Sequence, residues 1–310
     1  MTQPASGLPP ANLPAQARAA LAACADPVAG RFTGASTIAA LLFLLDRARE
    51  GDDEAARLAL AVLRRTPGEV GPTAGAAAAE AAVHVEAVDV RRDPGLEKTA
   101  RAALDAALAA FGWNADDEKG DAQGTDAHGL MIATLSRAAV VLEAPGYREA
   151  AARAGERALD HRVDAKWGTL LHLAGDAHHP AGLGDYALLV RGLLDLLPAT
   201  GEKGWLHEGV RLQGEQEERL WDAREGGFFE SPEGSGRAAR KYGSDGAFLS
   251  GNGIATLNLI DLAQLTGERR YRERAEGVLR VFAPEVAREP LAHLTLLRAA
   301  QRLERTPSPA

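Results

Sequence analysis

Cysteine is almost missing: Cys24 stands alone in 310 residues, which excludes an internal disulfide, a cysteine-based zinc cluster and a CxxC redox pair within this chain. No stretch of about 18 uncharged apolar residues occurs, so no membrane span is expected. The opening MTQPASGLPPANLP has neither the basic run nor the apolar core of a secretory leader, and a cytoplasmic location is the expectation. Positive charge is also in deficit. Lys and Arg number 35 against 43 Asp and Glu, a net charge of −8, and the basic residues are scattered among acidic ones, so nucleic acid and anionic membrane are not expected partners. A Gly-Lys-Ser/Thr phosphate loop is absent. Ser250-Gly251-Asn252-Gly253 lacks the third glycine and the preceding strand of a dinucleotide fingerprint. No cofactor is expected.

What the chain does have is apolar residues in two alternating patterns. One kind of segment is apolar on nearly every face: Ser36 to Ala48, Gly75 to Val90, Ala127 to Leu142, Gly184 to Leu197, Asn252 to Leu265 and Pro290 to Leu303. The other kind carries a single apolar stripe: Asn12 to Cys24, Asp52 to Arg65, Leu96 to Phe111, Tyr147 to His161, Lys203 to Leu220 and Glu268 to Phe282. Leu96, Ala100, Ala103, Leu104, Ala107, Leu108 and Phe111 fall on one helical face, as do Tyr271, Ala275, Val278, Leu279 and Phe282. A helix apolar all round must be buried on all sides, whereas a one-stripe helix lies on a core with its back in water. The pattern therefore predicts an all-α fold of six helical hairpins, an (α/α)6 toroid over residues 12–303, with tails at 1–11 and 304–310.

Links from the first kind of helix to the second are brief. Links in the other direction, 112 to 126, 162 to 183 and 221 to 251, are long, and the reading gathers them at one end of the ring, where binding and catalysis are usually built on a rigid scaffold. These loops hold Trp113, Trp167, Trp221, Phe228, Phe229, Tyr242 and Phe248 in a chain that is only 5% aromatic. Trp167, Trp221, Phe228, Phe229 and Tyr242 either pack the loops onto the ring or offer flat faces for a sugar. Ser231 to Gly236, with two glycines and a proline, reads as a lid or a turn.

Asp126, Asp185 and Asn252 precede inner helices, where a short acceptor side chain caps free N–H groups. The same geometry keeps a carboxylate charged, fit to act as base or hydroxyl acceptor. Tyr186 beside Asp185 adds a hydroxyl and a stacking face. Asp245 sits before Gly246 in an expected Asx turn, and Ser250 accompanies Asn252 at the same helix start. His128, in the first turn of an inner helix, is the first acid/base candidate because imidazole titrates near neutrality; His172 is the second. His172, Asp176, His178 and His179 share one loop, but their spacing fits no standard ligand pattern, so no metal is expected.

Four stretches carry a resemblance: Asp121-Ala-Gln-Gly-Thr-Asp-Ala-His-Gly-Leu-Met131, Gly182-Leu-Gly-Asp-Tyr-Ala-Leu-Leu189, Trp221-Asp-Ala-Arg-Glu-Gly-Gly-Phe-Phe229 and Asp245-Gly-Ala-Phe-Leu-Ser-Gly-Asn252. In order and spacing, from about residue 121 to 283, they resemble the helical domain of the thioredoxin-domain-containing, spermatogenesis-associated protein 20-like family. The resemblance implies a fold similar to six-hairpin glycosidases and N-acylglucosamine 2-epimerases, and it implies no particular reaction. Family members typically begin with a thioredoxin-like domain that has no counterpart here. Ala127-His128-Gly129 replaces the usual Trp-Asn-Gly, Gly184 a glutamate and Leu249 a proline. A small carbohydrate is the expected ligand. Three activities stay open: a sugar isomerase or 2-epimerase using His128 with His172, a glycoside hydrolase using two of Asp126, Asp185, Asp222 and Asp245, and a non-catalytic toroid that binds carbohydrate or protein.

Overall fold

Helix starts are written into the chain as short acceptor side chains. Ser36, Asp52, Thr73, Asp93 and Ser250 each accept a backbone N–H from the first turn of the helix that follows, which satisfies donors the helix itself leaves orphaned. The computed structural model describes residues 7–26, 29, 31–64, 73–113, 123–233, 239–246 and 249–307. Within them lie α1 (Leu13–Cys24), α2 (Thr37–Arg49), α3 (Asp53–Leu63), α4 (Ala74–Val90), α5 (Pro94–Phe111), α6 (Thr125–Val141), α7 (Pro145–His161), α8 (Leu183–Thr200), α9 (Gly204–Leu220), α10 (Gly251–Thr266), α11 (Arg269–Arg288) and α12 (Leu294–Arg305). A two-residue antiparallel pair, β1 (Ala25–Asp26) with β2 (Arg31–Phe32), follows α1. Among the described residues no helix is long and apolar enough to cross a membrane.

The two helix types expected from the pattern are both present. Every residue of α10 from Asn252 to Ala263 is buried, as is every residue of α6 from Ala127 to Ser136. In α5 burial is confined to Ala100, Leu104, Ala107 and Phe111, and in α11 to Tyr271, Ala275, Val278, Leu279, Phe282 and Val286, the single stripe of a helix backed by water. Two boundaries differ from the sequence reading. Helix α11 continues through Pro284 to Arg288, past the expected end at Phe282. The last segment opens as a 3-10 turn, Pro290–Ala292, before α12 begins at Leu294. Nor is α12 apolar all round: Arg298, Arg302 and Arg305 form a charged stripe that pairs with Asp46, Asp261 and Glu50.

The helices gather into two compact units. The first contains residues 1–67, 220–230 and 239–310, the second residues 68–219 and 231–238. In the first, α12 packs on α2 and α10, so the last helix meets the first hairpin, with Arg298 Nε 2.7 Å from Asp46. In the second, α6 is flanked by α4, α7 and α8. Its closest neighbour is α8, and glycine is the reason: a Cβ on Gly129 would stand 2.5 Å from the carbonyl oxygen of Leu188, and one on Gly192 would stand 2.8 Å from the carbonyl oxygen of Gly129. Without side chains there, the two backbones touch, and the N-termini of α6 and α8 come side by side.

Candidate functional site

That juxtaposition builds the site in the second unit. Asp126 is the second residue of α6 and Asp185 the third of α8, and the Asp126 backbone N–H donates to Asp185 Oδ1 at 3.0 Å. Asp185 Oδ2 accepts the Gly182 N–H at 2.9 Å, half of a capping box. The loop between α7 and α8 brings the third member. Val163 bridges to Leu170 and Leu171 to Pro180 in short antiparallel pairings, and this strand-like path delivers His172 with Nδ1 2.9 Å from Asp185 Oδ1 and 3.2 Å from Oδ2. A charged carboxylate only accepts, so Nδ1 carries the hydrogen and Nε2, across the ring, is left as the working nitrogen of the neutral form. Asp185 is 5% exposed, whereas the His172 side chain is 42% exposed.

The electrostatics follow from this packing. The hydrogen bond to Asp185 raises the His172 pKa above the ordinary imidazole value, helped by the charges of Asp185 and Asp126 and opposed by burial and by Arg162. Asp126 is also pushed up, first by burial and then by the like charge of Asp185, although its Oδ1 accepts the Ala127 N–H at 2.7 Å. One ligand atom from each of Asp126, His172 and Asp185 lies within 4.8 Å of the other two, a spacing that suits a metal ion. Asp185 already accepts two backbone N–H groups and contacts the imidazole.

Residues that sequence reasoning passed over complete the site. Thr125 N–H donates to the His172 carbonyl at 2.8 Å, and its hydroxyl donates to Leu171 O at 2.6 Å. Arg162, 1% exposed, donates from Nη1 to Thr125 Oγ1 at 3.0 Å and to His172 O at 3.3 Å. Gly124 keeps the approach clear: a Cβ there would stand 2.7 Å from His172 Cε1 and 3.3 Å from Nε2. Glu215 anchors the loop from below, accepting the Leu170 N–H at 3.1 Å and the Tyr186 hydroxyl at 2.6 Å. None of these stands in a spacing that announces chemistry; only the fold brings them to His172.

The other expected residues lie elsewhere or are otherwise engaged. His128 is 4% exposed and meets Trp113 and Phe111 edge-on, with ring centroids 5.1 and 5.5 Å away. Tyr186 is 1% exposed, so its ring is core and offers no stacking face; burial and Glu215 drive its hydroxyl pKa upward. Trp167 is 70% exposed at a turn capped by Asp164, with Lys166 Nζ 4.6 Å above its ring. The helix caps proper are Gly124, Gly182 and Ser250 rather than Asp126, Asp185 and Asn252.

In the first unit, Ser250 Oγ accepts the Gly253 N–H, and Asn252, wholly buried, accepts Phe228 N–H at 2.9 Å while donating to the Phe228 and Tyr242 carbonyls at 3.0 Å each. Asp245 reaches beyond its own turn to α12, accepting from Thr295 N at 2.9 Å and Thr295 Oγ1 at 2.5 Å as well as from Ser250 N at 3.0 Å. Asp222 is held by Lys241 at 2.7 Å, which with the Arg224 N–H pulls its pKa down to about 2. Trp221 packs edge-on against Phe228 at 5.0 Å with Arg274 4.4 Å from its ring, Phe229 lies 5.5 Å from Lys241 Nζ, and Tyr242 is 48% exposed. Phe248 and residues 234–236 of the expected lid lie outside the described residues.

Structural comparison defines the class. The chain has the fold of a D-mannose isomerase (TM-score 0.71, 13% identity, 98% of this chain and all of that one), of a GH76 α-mannanase from Bacteroides thetaiotaomicron (0.67, 9%, 95% and 96%) and of cellobiose 2-epimerase from Bacillus thermoamylovorans (0.65, 12%, 83% and 81%). It is therefore an all-α protein of the six-hairpin (α/α)6 class. In sequence it is homologous to human spermatogenesis-associated protein 20, at 37% identity over 127 residues, or 40% of this chain and 16% of that protein. An uncharacterised Caenorhabditis elegans protein is 26% identical over 178 residues, 54% of this chain and 24% of its own length. The chain thus spans about a sixth of the length of spermatogenesis-associated protein 20. No family model matches it.

Proposed function

We propose that this protein transfers a proton on a small carbohydrate, an isomerase- or 2-epimerase-like reaction at the carbon beside a carbonyl, with His172 as the acid/base group. The observation that carries the reading is the Nδ1–Asp185 contact of 2.9 Å on a ring that is 42% exposed. Asp185 fixes the tautomer and steadies the imidazolium, Nε2 takes the proton and returns it, and Asp126 stands beside it as a carboxyl whose raised pKa suits it to share a proton with the sugar oxygens. The raised His172 pKa makes it a stronger base than free imidazole. Solved proteins of this fold include a mannose isomerase and a cellobiose epimerase by name, which supports the substrate class.

The Asp-pair hydrolase reading is less well supported. Hydrolytic pairs stand about 5–9.5 Å apart with a free carboxylate on one side, whereas Asp126 and Asp185 bring oxygens within 4.8 Å and Asp185 is saturated by hydrogen bonds. Asp222 and Asp245 are likewise engaged in an ion pair and in a helix tether.

Incubation with free aldoses and cellobiose in deuterated water, followed by NMR, tests the proposal. Label should enter at a single carbon, and His172→Asn should slow its entry by roughly 10²–10⁴-fold, whereas His128→Asn should chiefly lower Tm. No label in any sugar, or an active His172→Asn protein, would sink the reading and leave a binding scaffold in its place.

A further inference from the structure

We infer that Arg162 is a positioning residue for His172: its guanidinium, buried at the end of α7, fixes the backbone that carries the imidazole and so determines whether Nδ1 reaches Asp185. The geometry is a knot of four hydrogen bonds, three on two adjacent carbonyls and one on the Thr125 hydroxyl. Arg162 Nη1 donates to His172 O at 3.3 Å and to Thr125 Oγ1 at 3.0 Å, Thr125 N donates to His172 O at 2.8 Å, and Thr125 Oγ1 passes its own hydrogen to Leu171 O at 2.6 Å. The next residue along α6 is Asp126, whose N–H holds Asp185. The same two helical residues thus tie down both partners of the imidazole–carboxylate contact, the histidine through Thr125 and the aspartate through Asp126.

Arginine suits this place for a physical reason. A buried guanidinium is costly unless its planar fork is engaged, and here one nitrogen serves a hydroxyl and a carbonyl from two different segments. The Arg162 backbone also joins the knot, its carbonyl accepting the Leu171 N–H at 2.8 Å. The residue is 1% exposed and the largest of the fully buried side chains among the described residues.

Two effects of Arg162 on His172 have opposite signs, and this makes the inference testable. As a nearby positive charge it disfavours the imidazolium; as a clamp it favours it, by holding Nδ1 on Asp185. The charged groups that bear on His172 are Asp185, Asp126 and Arg162. The experiment is an NMR titration of the His172 ring nitrogens in the full chain and in Arg162→Lys, Arg162→Met and Thr125→Val.

Positioning predicts that the His172 midpoint falls toward the ordinary imidazole range in both Arg162 variants, although Lys keeps the charge, with a smaller fall in Thr125→Val. A rise in Arg162→Met with no change in Arg162→Lys would mean that only the charge matters, and an unmoved midpoint in every variant would mean that Arg162 merely supports the fold; either overturns the inference. Should Arg162→Met not fold, Arg162→Lys decides by the same sign, and after it Thr125→Val.

The inference takes His172 to be the working group of the proposed reaction, but the titration needs no substrate. If the midpoints fall while no sugar gains deuterium, the carbohydrate reading is lost and the clamp stands. If label enters and the midpoints stay, the clamp alone is lost.

Discussion

The loop before α8 and the loop before α10 look alike in the sequence, long, bearing aromatics and ending on an Asp or Asn at a helix start, yet they use their polar atoms in opposite ways. In the first unit three acceptors of that loop turn inward: Asn252 binds three backbone groups, Asp245 binds α12, and Asp222 is neutralised by Lys241. In the second unit Asp185 is equally well bonded, but one of its partners is a titratable ring that is 42% exposed. A saturated carboxylate is a structural tie; the same carboxylate becomes part of a site when what it holds can still reach solvent. The lesson is that a polar residue at a helix start has to be judged by its partner's exposure.

Breaking the inward-facing knot should have the largest effect. Asn252→Ala would orphan the Phe228 N–H and the Phe228 and Tyr242 carbonyls, and with buried groups costing about 1–3 kcal/mol each we expect a loss of roughly 3–5 kcal/mol in a urea or thermal melt. That is a large part of the ~5–15 kcal/mol that holds a typical fold. His172→Asn should cost little stability by comparison, because the ring is part-exposed. If the two variants melt together, the distinction between tie and site is wrong.

Next in size is a pH effect on the inward-facing side. Burial raises the Glu230 carboxyl to about 7, against a smaller opposing pull from the Tyr242 backbone. Its folded pKa thus lies above the ordinary value of 4.5, so the fold prefers the protonated form. The stability it contributes is fully present below pH 4.5 and is lost as pH rises through 7. Glu230→Gln removes that loss: its melting temperature should match the parent at pH 4 and exceed it at pH 8, by an amount equivalent to ~2 kcal/mol after discounting for partial exposure. Equal melting temperatures at both pH values would show the carboxyl to be solvated.

How far this contrast could be read beforehand depends on range. The twelve helices were legible because burial follows a 3.6-residue period, and Tyr271, Ala275, Val278, Leu279 and Phe282 are buried as spaced. The charged stripe of α12 was missed because the long stems of Arg298 and Arg302 pair with acids far away in sequence. In the site, Asp126, Asp185 and His172 could each be named, but not their grouping. It needs α6 and α8 to touch at Gly129 and Gly192, a contact set by tertiary packing. Thr125 stood out only as part of the Asp121–Met131 stretch, and Arg162 carried no signal at all, since an arginine at a helix end is an ordinary surface residue until a loop folds over it.

The smallest effect sharpens the comparison between the two tryptophans. Trp221 lies against Phe228 and beneath Arg274, and its Cη2 stands 3.2 Å from where a Cβ on Gly277 would be. Trp167 is 70% exposed, with Lys166 across its face. Trp167→Ala should therefore change stability by less than about 0.5 kcal/mol, while Trp221→Ala should cost about 2–3 kcal/mol in lost packing. If the Trp167 face stacks on a sugar during the proposed reaction, its loss raises KM with kcat unchanged, because it removes binding that ground state and transition state share. A fall in kcat instead would place the ring in the chemistry, and a fall in Tm like that of Trp221→Ala would place it in the fold.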